Sequence, residues 1–442
     1  MTSSAPLFSV VIPTRNRAQL LPFALRSALE QEHDDFEVVV VANNCQDDTR
    51  SVVEGMREPR LRYVETDRTL TMPDNWDFAW TTARGEYVVY LPDDDALVPS
   101  ALRMLQEHTL HGRPPVVSWE DAPYYYPNWH DPQMQNLMLI FERGDHLVED
   151  VPSTVYRDEC TTFSFAWSSP FPKMLNCAAH RETLDAWRQK LGRLFFPIAP
   201  DYSFGWIVSH VFDYVRVLNR PLNVRGISDR SIGSNAGLGE ATKEFFREFG
   251  DFDIFSEAPL ELPVSMTYLA STFQRASAAL REHGITPDRL DLERFLLVAA
   301  QQFRDGRELI ANWETYVPGI VTLAGSMSPG TRTAVEEILA EPAAANPHGE
   351  SIREIRRRTA SMALEYPPNL ANTAAEHLGD ERCARCKLGL EPGVLASAGW
   401  ECVYVFGEEI DAFDPHAMSR HVDAYYDLLT DCREKRQATQ DD

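Results

Sequence analysis

Short apolar runs alternate with helix-type spacing over the first ninety residues. The runs FSVVIP (8–13), FEVVVVA (36–42) and EYVVYL (86–91) predict strands that are buried on both faces, and LRYVET (61–66) predicts another. The segment RAQLLPFALRSALEQ (17–31) places its apolar side chains at helical spacing. This alternation predicts an α/β fold, with a doubly wound, mainly parallel sheet and helices on both faces.

Polar clusters follow three of these strands directly. They are TRNR (14–17), NNCQDD (43–48) and DDD (93–95). In an open parallel sheet the ligand site lies at the carboxyl ends of the strands. We therefore expect the three clusters to lie together on one edge of the sheet.

The rest of the chain divides into a mixed part and a helical part. We predict a catalytic α/β domain over residues 1–238, with its acceptor or catalytic half at 113–238, and a mostly helical domain over residues 239–442. The spacing of Leu269, Phe273, Ala276 and Leu280 supports helix in the second domain. We expect that domain to serve interactions, including self-association into a homo-oligomer, or the acceptor.

Bulk composition excludes several classes of protein. A net charge of −25 argues against a nucleic-acid partner, which requires basic surface. We find no apolar run long enough for a transmembrane helix and no signal-peptide pattern at the N-terminus. Seven unevenly scattered cysteines are typical of a reducing compartment. We expect a cytoplasmic protein that is at most peripheral to a membrane.

Three consecutive acids, Asp93, Asp94 and Asp95, follow the strand at 86–91. One interpretation is a helix N-terminus, where acids cap the helix and complement its dipole. The other is a divalent-cation site, where carboxylates hold Mn²⁺ or Mg²⁺ on a diphosphate. The two interpretations are compatible, because one acid can cap while the others bind the ion.

Three segments in order resemble the N-terminal half of family-two glycosyltransferases, which have the GT-A fold. They are SVVIPTRNRAQLLPFALRSALEQ, VVVVANNCQDDT and ARGEYVVYLPDDDALVP, within residues 7–105. The resemblance implies a GT-A-like domain with a DxD-type metal motif. It also implies inverting transfer of a sugar from a nucleotide-diphospho-sugar, with a UDP-sugar expected, to an acceptor hydroxyl. The processive members' Gln-x-x-Arg-Trp motif is not found, which favours transfer of a single sugar.

The resemblance also implies roles for individual residues. Asp93, Asp94 and Asp95 stand at the metal motif, with Asp94 the expected ligand and its neighbours assisting or contacting the ribose. Two positions depart from the family pattern: Asn43 stands where an aspartate usually contacts the base, and Pro92 where the first acid usually stands. The residues expected to bind the nucleotide-sugar are Pro13, Thr14, Arg15, Arg17, Asn43, Asn75, Asp93, Asp94 and Arg230. Arg230 is predicted from its loop, GISDRSIGSN, which could close over the diphosphate, and a plain surface loop is the other interpretation.

Asp201, in PDYSFGW, resembles the family's catalytic aspartate. Inverting displacement needs a base that deprotonates the acceptor hydroxyl, and a positioned carboxylate serves. The competing interpretation is a helix N-terminal acid after Pro200.

Two further groups of side chains have more than one interpretation. The aromatics Trp119, Tyr124, Tyr125, Tyr126 and Trp129 fit either a sugar-stacking platform or core packing. Cys383, Cys386 and Cys402 could contribute to a zinc site, although a second close pair is missing and free thiols are the simpler interpretation.

Two functions compete with transfer. A sugar nucleotidyltransferase shares the alternating architecture, but PTRNRAQ lacks the glycines usual after the first strand of such enzymes. A non-catalytic sugar-nucleotide-binding or scaffolding module is the alternative from another class, and Asn43 and Pro92 are the residues that keep it open.

Overall fold

A computed structural model describes most of the chain. The described residues are 5–129, 135, 137–140, 146–165, 169–228, 258–307, 310, 312–342, 402–405, 419–420 and 422–423. Arg230 and the cysteine pair Cys383 and Cys386 lie outside them, as does most of the stretch between the last helix and residue 402.

Within these residues the chain forms a mixed sheet of eleven strands surrounded by helices. The strands are β1 (Phe8–Thr14), β2 (Phe36–Ala42), β3 (Leu61–Glu65), β4 (Tyr87–Tyr90), β5 (Ala96–Leu97), β6 (Val116–Tyr125), β7 (Leu137–Ile140), β8 (Val148–Pro152), β9 (Cys177–His180), β10 (Tyr214–Ile227) and β11 (Cys402–Val405). The helices are α1 (Leu21–Leu29), α2 (Thr49–Gly55), α3 (Met72–Thr82), α4 (Ala101–His108), α5 (Ser153–Thr162), α6 (Arg181–Leu191), α7 (Pro200–Val211), α8 (Ser265–Glu282), α9 (Leu292–Asp305), α10 (Val317–Met327) and α11 (Pro329–Ala340).

The first four strands form the parallel part of the sheet, in the order β3-β2-β1-β4. Helices α1, α2 and α3 connect them, as the sequence pattern predicted. Parallel strands need such crossovers, and the crossover handedness places the helices on the two faces. The carboxyl ends of β1, β2 and β4 therefore meet at one edge.

The second half of the sheet is built differently. Strand β9 runs antiparallel between β4 and β6, and the long β10 runs parallel to β6 with a register shift between Leu218 and Asn223. Strand β5, which directly follows the three acids, pairs antiparallel with β10. This pairing ties the acid cluster to β10, which lies more than a hundred residues later in the chain.

Each face of the sheet buries its own hydrophobic cluster. Along β1, Val10 and Ile12 belong to the cluster that includes α1 and α4, whereas Val11 belongs to the one that includes α3 and α7. Strands covered on both faces must be apolar at every position, which explains the continuous apolar runs. The predicted α/β fold, with helices on both faces of the sheet and a helical region after it, is confirmed.

Helices α8 to α11 form that helical region. Their apolar side chains, among them Phe273, Phe295 and Val335, share one buried cluster with α7 and the sheet. The domain boundary near residue 238 stays a prediction. None of the described helices is long and apolar enough to cross a membrane.

Candidate active site

The polar side chains that follow β1, β2 and β4 lie together at one edge of the sheet. The Thr14 hydroxyl donates a hydrogen bond to Asp93 Oδ2 at 2.6 Å, and the backbone N–H of Asn43 donates to the Thr14 carbonyl at 2.9 Å. The expected co-location of the three polar clusters is thus found.

Arg17 lies against two of the three acids. Its Nη1 donates to Asp94 Oδ2 at 3.0 Å, and its Nε is 3.8 Å from Asp93 Oδ1. Burial raises the pKa of Asp93 to about 6, although Arg17 and the Thr14 hydroxyl oppose this. One guanidinium therefore faces two adjacent carboxylates, which leaves an excess of negative charge when both are ionised.

Asp95 points away from this pair and is held by β10. Its Oδ1 accepts the backbone N–H of Gly226 at 2.9 Å, and its Oδ2 lies 3.3 Å from the donating amide of Asn223. Burial, and then the neighbouring Asp94, raise the pKa of Asp95 well above its usual value. Asp95 connects the acid cluster to β10, and we do not retain it as an expected metal ligand.

The main chain of Asp94 is fixed from the same side. Its carbonyl accepts the Tyr126 hydroxyl at 2.5 Å. A Cβ on Gly226 would overlap that carbonyl oxygen, so only glycine allows β10 to approach so closely. The orientation of Asp94 is therefore set by β6 and β10 as well as by its own loop.

The donor set fits a cation held by two carboxylates and not one held by three. No group of three or more histidine, cysteine, aspartate or glutamate side chains positioned for a metal occurs in the described part of the chain. Mg²⁺ commonly uses one or two carboxylates together with water and substrate phosphates. Asp93 and Asp94, with side-chain exposures of 10% and 14%, offer such a pair beside Arg17.

The other residues predicted to contact the nucleotide differ in their exposure and in their hydrogen-bond partners. The Asn43 amide donates to the Leu70 carbonyl at 2.9 Å and accepts the Leu70 N–H at 2.8 Å, so it holds the loop before α3. Asn75, in the first turns of α3, is 5% exposed, and its Oδ1 has no hydrogen-bond partner among the described residues. Pro13 is half-buried within β1 and Arg15 is exposed just after it.

Asp201 lies in the first turn of α7, directly after Pro200. Burial raises the pKa of its carboxyl, while Lys173 and the backbone N–H groups of Asp201 and Tyr202 oppose the shift. The backbone contacts fit the helix-terminus interpretation, and the nearby cation fits a functional carboxylate. The helix-terminal position is observed, and a catalytic role for Asp201 stays a prediction.

Three charged residues that influence the acid cluster or Asp201 were not predicted from the sequence: Asp121 and Arg225 act on Asp95, and Lys173 acts on Asp201. Arg225 Nε on β10 is 2.9 Å from Asp121 Oδ2 on β6. Burial alone would raise the pKa of Asp121, but Arg225 and Lys173 hold it below its usual value. The available signal was a charged residue within an apolar strand, at Asp121 and again at Arg225.

Those aromatic residues are buried. Trp119, Tyr124, Tyr125, Tyr126 and Trp129 are all at most 8% exposed. Core packing is therefore the interpretation that fits them, and a sugar-stacking platform is not. The Tyr126 hydroxyl still contributes to the site through Asp94.

Comparison with known proteins agrees, over the N-terminal region, with the resemblance to family-two glycosyltransferases. Residues 9–168 match the family model "Glycosyl transferase family 2". The chain is similar to a GalNAc(5)-diNAcBac-PP-undecaprenol beta-1,3-glucosyltransferase of Campylobacter jejuni, with 36% identity over 110 residues, which is 24% of this chain and 36% of the relative. It is also similar to the putative colanic acid biosynthesis glycosyl transferase WcaA of Escherichia coli, with 30% identity over 23% of this chain and 38% of the relative. The chain thus spans about a third of the length of these curated relatives.

Among solved structures, S. aureus TarS 1-349 in complex with UDP-GlcNAc is 18% identical, with a TM-score of 0.41 over 80% of this chain and 92% of that one. The mannosyltransferase PcManGT from Pyrobaculum calidifontis, in complex with GDP-Man and Mn²⁺, is 20% identical, with a TM-score of 0.36 over 75% and 84%. The parallel strands β1 to β4 and the acid cluster lie in the region, residues 9–168, that matches this family model.

Proposed function

We propose that the protein is a glycosyltransferase that moves one sugar from a nucleotide-diphospho-sugar to an acceptor hydroxyl. The observation that carries the proposal is the carboxylate pair Asp93–Asp94, which faces Arg17 at the carboxyl edge of the sheet within the family-matched region. A UDP-sugar is the donor that we propose. Thr14, Pro13 and Arg15 would line the nucleotide at the end of β1.

Asp93 and Asp94 are the residues that would hold Mn²⁺ or Mg²⁺. The ion would neutralise charge on the diphosphate as the bond to the sugar breaks. Arg17 already carries a positive charge at the same place and would help to orient the phosphates. Asp95 would keep the loop in position through Gly226 and Asn223.

Asp201 is the proposed base. In direct displacement its carboxylate takes the acceptor's proton while the acceptor oxygen attacks the anomeric carbon and the nucleoside diphosphate leaves. The sugar configuration is then inverted, which gives a β-linkage from an α-linked donor. Helix α7 packs against α3, α5 and α8, so Asp201 stands on a firmly held element.

The test uses the full chain with UDP-glucose, UDP-GlcNAc and GDP-mannose, each with EDTA, Mg²⁺ or Mn²⁺. We expect release of nucleoside diphosphate from a uridine donor, through slow transfer to water, only when the cation is present. The α or β configuration of the released sugar, followed by NMR before mutarotation, tests inversion.

Two results would contradict the proposal in different ways. Binding of a donor by calorimetry, without release from any donor, would favour the non-catalytic binding module. Equal release with EDTA and with Mn²⁺ would remove the cation from the mechanism while leaving the transferase.

A further inference from the structure

Lys173, in the segment between α5 and β9, is a half-buried cation at the edge of the candidate site. Its ammonium lies 6.0 Å from the centre of the Tyr202 ring, next to Asp201 in the chain. Within the described part of the chain, no acid lies close enough to form an ion pair with this ammonium. The fold thus places the positive charge of Lys173 near acidic residues, but Lys173 forms an ion pair with none of them in the described part of the chain.

The segment that carries Lys173 is rigidly attached. The Lys173 N–H donates to the Asn176 side chain at 2.9 Å, and the Asn176 amide donates to the Trp119 carbonyl at 2.6 Å. The neighbouring Phe171 ring stacks on Tyr202 with centroids 5.8 Å apart. These contacts fix the position of Lys173 relative to the start of α7.

Close packing of α7 strengthens this attachment. A Cβ on Gly205 would overlap the Phe171 ring and lie 2.8 Å from the Pro172 carbonyl oxygen. Glycine therefore lets the first turns of α7 approach the residues directly before Lys173. The backbone that carries Lys173 is therefore held close to the first turns of α7, where Asp201 lies.

The two acids near Lys173 differ in their other partners. Asp121 already has Arg225 at 2.9 Å, whereas Lys173 is the charged side chain that acts on Asp201. Several charged side chains on the helices that pack against α7 have partners of their own: Asp74 and Asp77 with Arg193, Glu159 with Ser169, Arg157 with Asp288, and Arg275 with Ser271. The other charged residues of these helices are Asp158 on α5 and Arg281 and Glu282 on α8.

We propose that Lys173 is a positioning residue that keeps Asp201 ionised and ready to accept the proton of the acceptor hydroxyl. The inference rests on the proposed function, in which Asp201 is the base. The proton moves from the acceptor oxygen to the carboxylate, the new bond forms at the anomeric carbon, and the electron pair of the broken bond leaves with the diphosphate. Lys173 neither gains nor loses a proton in this step.

The electrostatics of Asp201 agree with this role. Burial raises the pKa of Asp201, and Lys173 is the first of the influences that oppose the rise. Without the lysine, the carboxyl would take up a proton at higher pH and the fraction of active base near neutrality would fall.

The experiment compares Lys173→Met and Lys173→Arg with the wild type in release of nucleoside diphosphate from UDP-glucose with Mn²⁺, from pH 5 to 9. In Lys173→Met we expect the acidic limb of kcat to move to higher pH and kcat at pH 6 to fall roughly 10-fold, with donor KM unchanged. Lys173→Arg should restore the wild-type profile. Lys190→Met is the matched control, since Lys190 is an exposed lysine that also lies over an aromatic ring, that of Trp187.

An unmoved acidic limb in Lys173→Met overturns the proposal, and so does a raised donor KM with an unchanged limb, which would make Lys173 a donor-binding residue. A second measurement separates this outcome from failure of the proposed function. Carboxyl ¹³C NMR of Asp201, assigned with Asp201→Asn, gives its titration midpoint in the free protein without any turnover. We expect a higher midpoint in Lys173→Met, and an identical midpoint contradicts the inference even if no donor is turned over.

Discussion

The two carboxylate regions of the site, Asp93–Asp94 and Asp201, differ in the partners that surround their negative charge. Asp93 and Asp94 have partners in direct contact, with Arg17 at 3.0 Å from one and Thr14 at 2.6 Å from the other. Asp201 is half-buried, and Lys173 is a cation in its surroundings that forms no ion pair with it in the described part of the chain. A pair that is to share a cation with a substrate needs fixed geometry, whereas a base needs a proton affinity close to the working pH.

The regions differ in origin as well. Thr14, Arg17 and the acid cluster come from one run of parallel strands and connecting helices, in which β1 pairs with both β2 and β4. The second region comes from separate segments: Asp121 lies on β6, Arg225 on β10, Asp201 on α7 and Lys173 between α5 and β9. Substitutions in the two regions should therefore have different effects on donor binding and on kcat.

The largest expected effect belongs to Asp201→Asn. As the proposed base it should lower kcat by roughly 10²–10⁴-fold while donor affinity stays nearly the same. Single-turnover transfer and calorimetric donor binding measure the two quantities. Glu182→Gln is the control, because Glu182 is an acid in the first turn of α6 that lies outside the site. If Asp201→Asn behaves like Glu182→Gln, Asp201 is only a helix-terminal acid.

Asp94→Asn should come next, with a loss of about 10²–10³-fold in kcat/KM, because it removes negative charge from the proposed cation site. Unlike Asp201→Asn, it should also abolish the increase in donor affinity that Mn²⁺ gives. Calorimetry with UDP, with and without Mn²⁺, measures this, and Asp67→Asn at an exposed position is the control. Unchanged Mn²⁺ dependence would place the ion elsewhere.

Two glycine substitutions should separate the regions by stability. Gly226→Ala and Gly205→Ala should each lower the free energy of unfolding by about 1–3 kcal/mol, because the added methyl overlaps Asp94 or Phe171. Urea unfolding measures the loss. Among molecules that remain folded, Gly226→Ala should weaken donor binding and Gly205→Ala should lower kcat.

Gly55→Ala serves as their control, because nothing lies within 4 Å of a Cβ there. It should be neutral or slightly stabilising. A Gly226→Ala variant as stable as Gly55→Ala would contradict the close approach of β10 to the acid cluster.

The smallest effect concerns pH and α7. His210 Nδ1 donates to the Trp206 carbonyl at 2.8 Å, and Nε2 accepts the Asp288 N–H at 3.1 Å, so the neutral ring satisfies both contacts. Burial lowers the pKa of His210 below the unfolded value of about 6.5. The unfolded state then binds more protons, so this stabilisation is present above pH 6.5 and is lost as pH falls through the folded-state value.

Urea unfolding between pH 5 and 8 should show that the free energy of unfolding decreases toward low pH. This decrease should be smaller in His210→Gln than in the wild type. His108→Gln, at an exposed histidine, is the control. An identical pH dependence in His210→Gln and the wild type would rule out this histidine as an anchor of α7.

Much of the first region could be predicted from the sequence. Strands that are buried on both faces must be apolar throughout, so their ends are visible where TRNR, NNCQDD and DDD begin. Because consecutive parallel strands place their carboxyl ends at one edge, the meeting of Thr14 with Asp93 needed no knowledge of distant contacts. Asp201 was predicted from a resemblance, and its catalytic role is still a prediction.

Only the tertiary structure decided which partners each acid contacts. In the sequence the three aspartates at 93–95 are indistinguishable. In the structure, Asp95 accepts hydrogen bonds from Gly226 and Asn223, and the other two face Arg17. The Asp121–Arg225 pair and Lys173 were equally hidden, since their sequence separations are large and nothing local indicates their contacts. Local patterns fix what a residue's own strand or helix requires of it. A side chain's partners and its loss of solvent depend on segments that only the folded chain brings together.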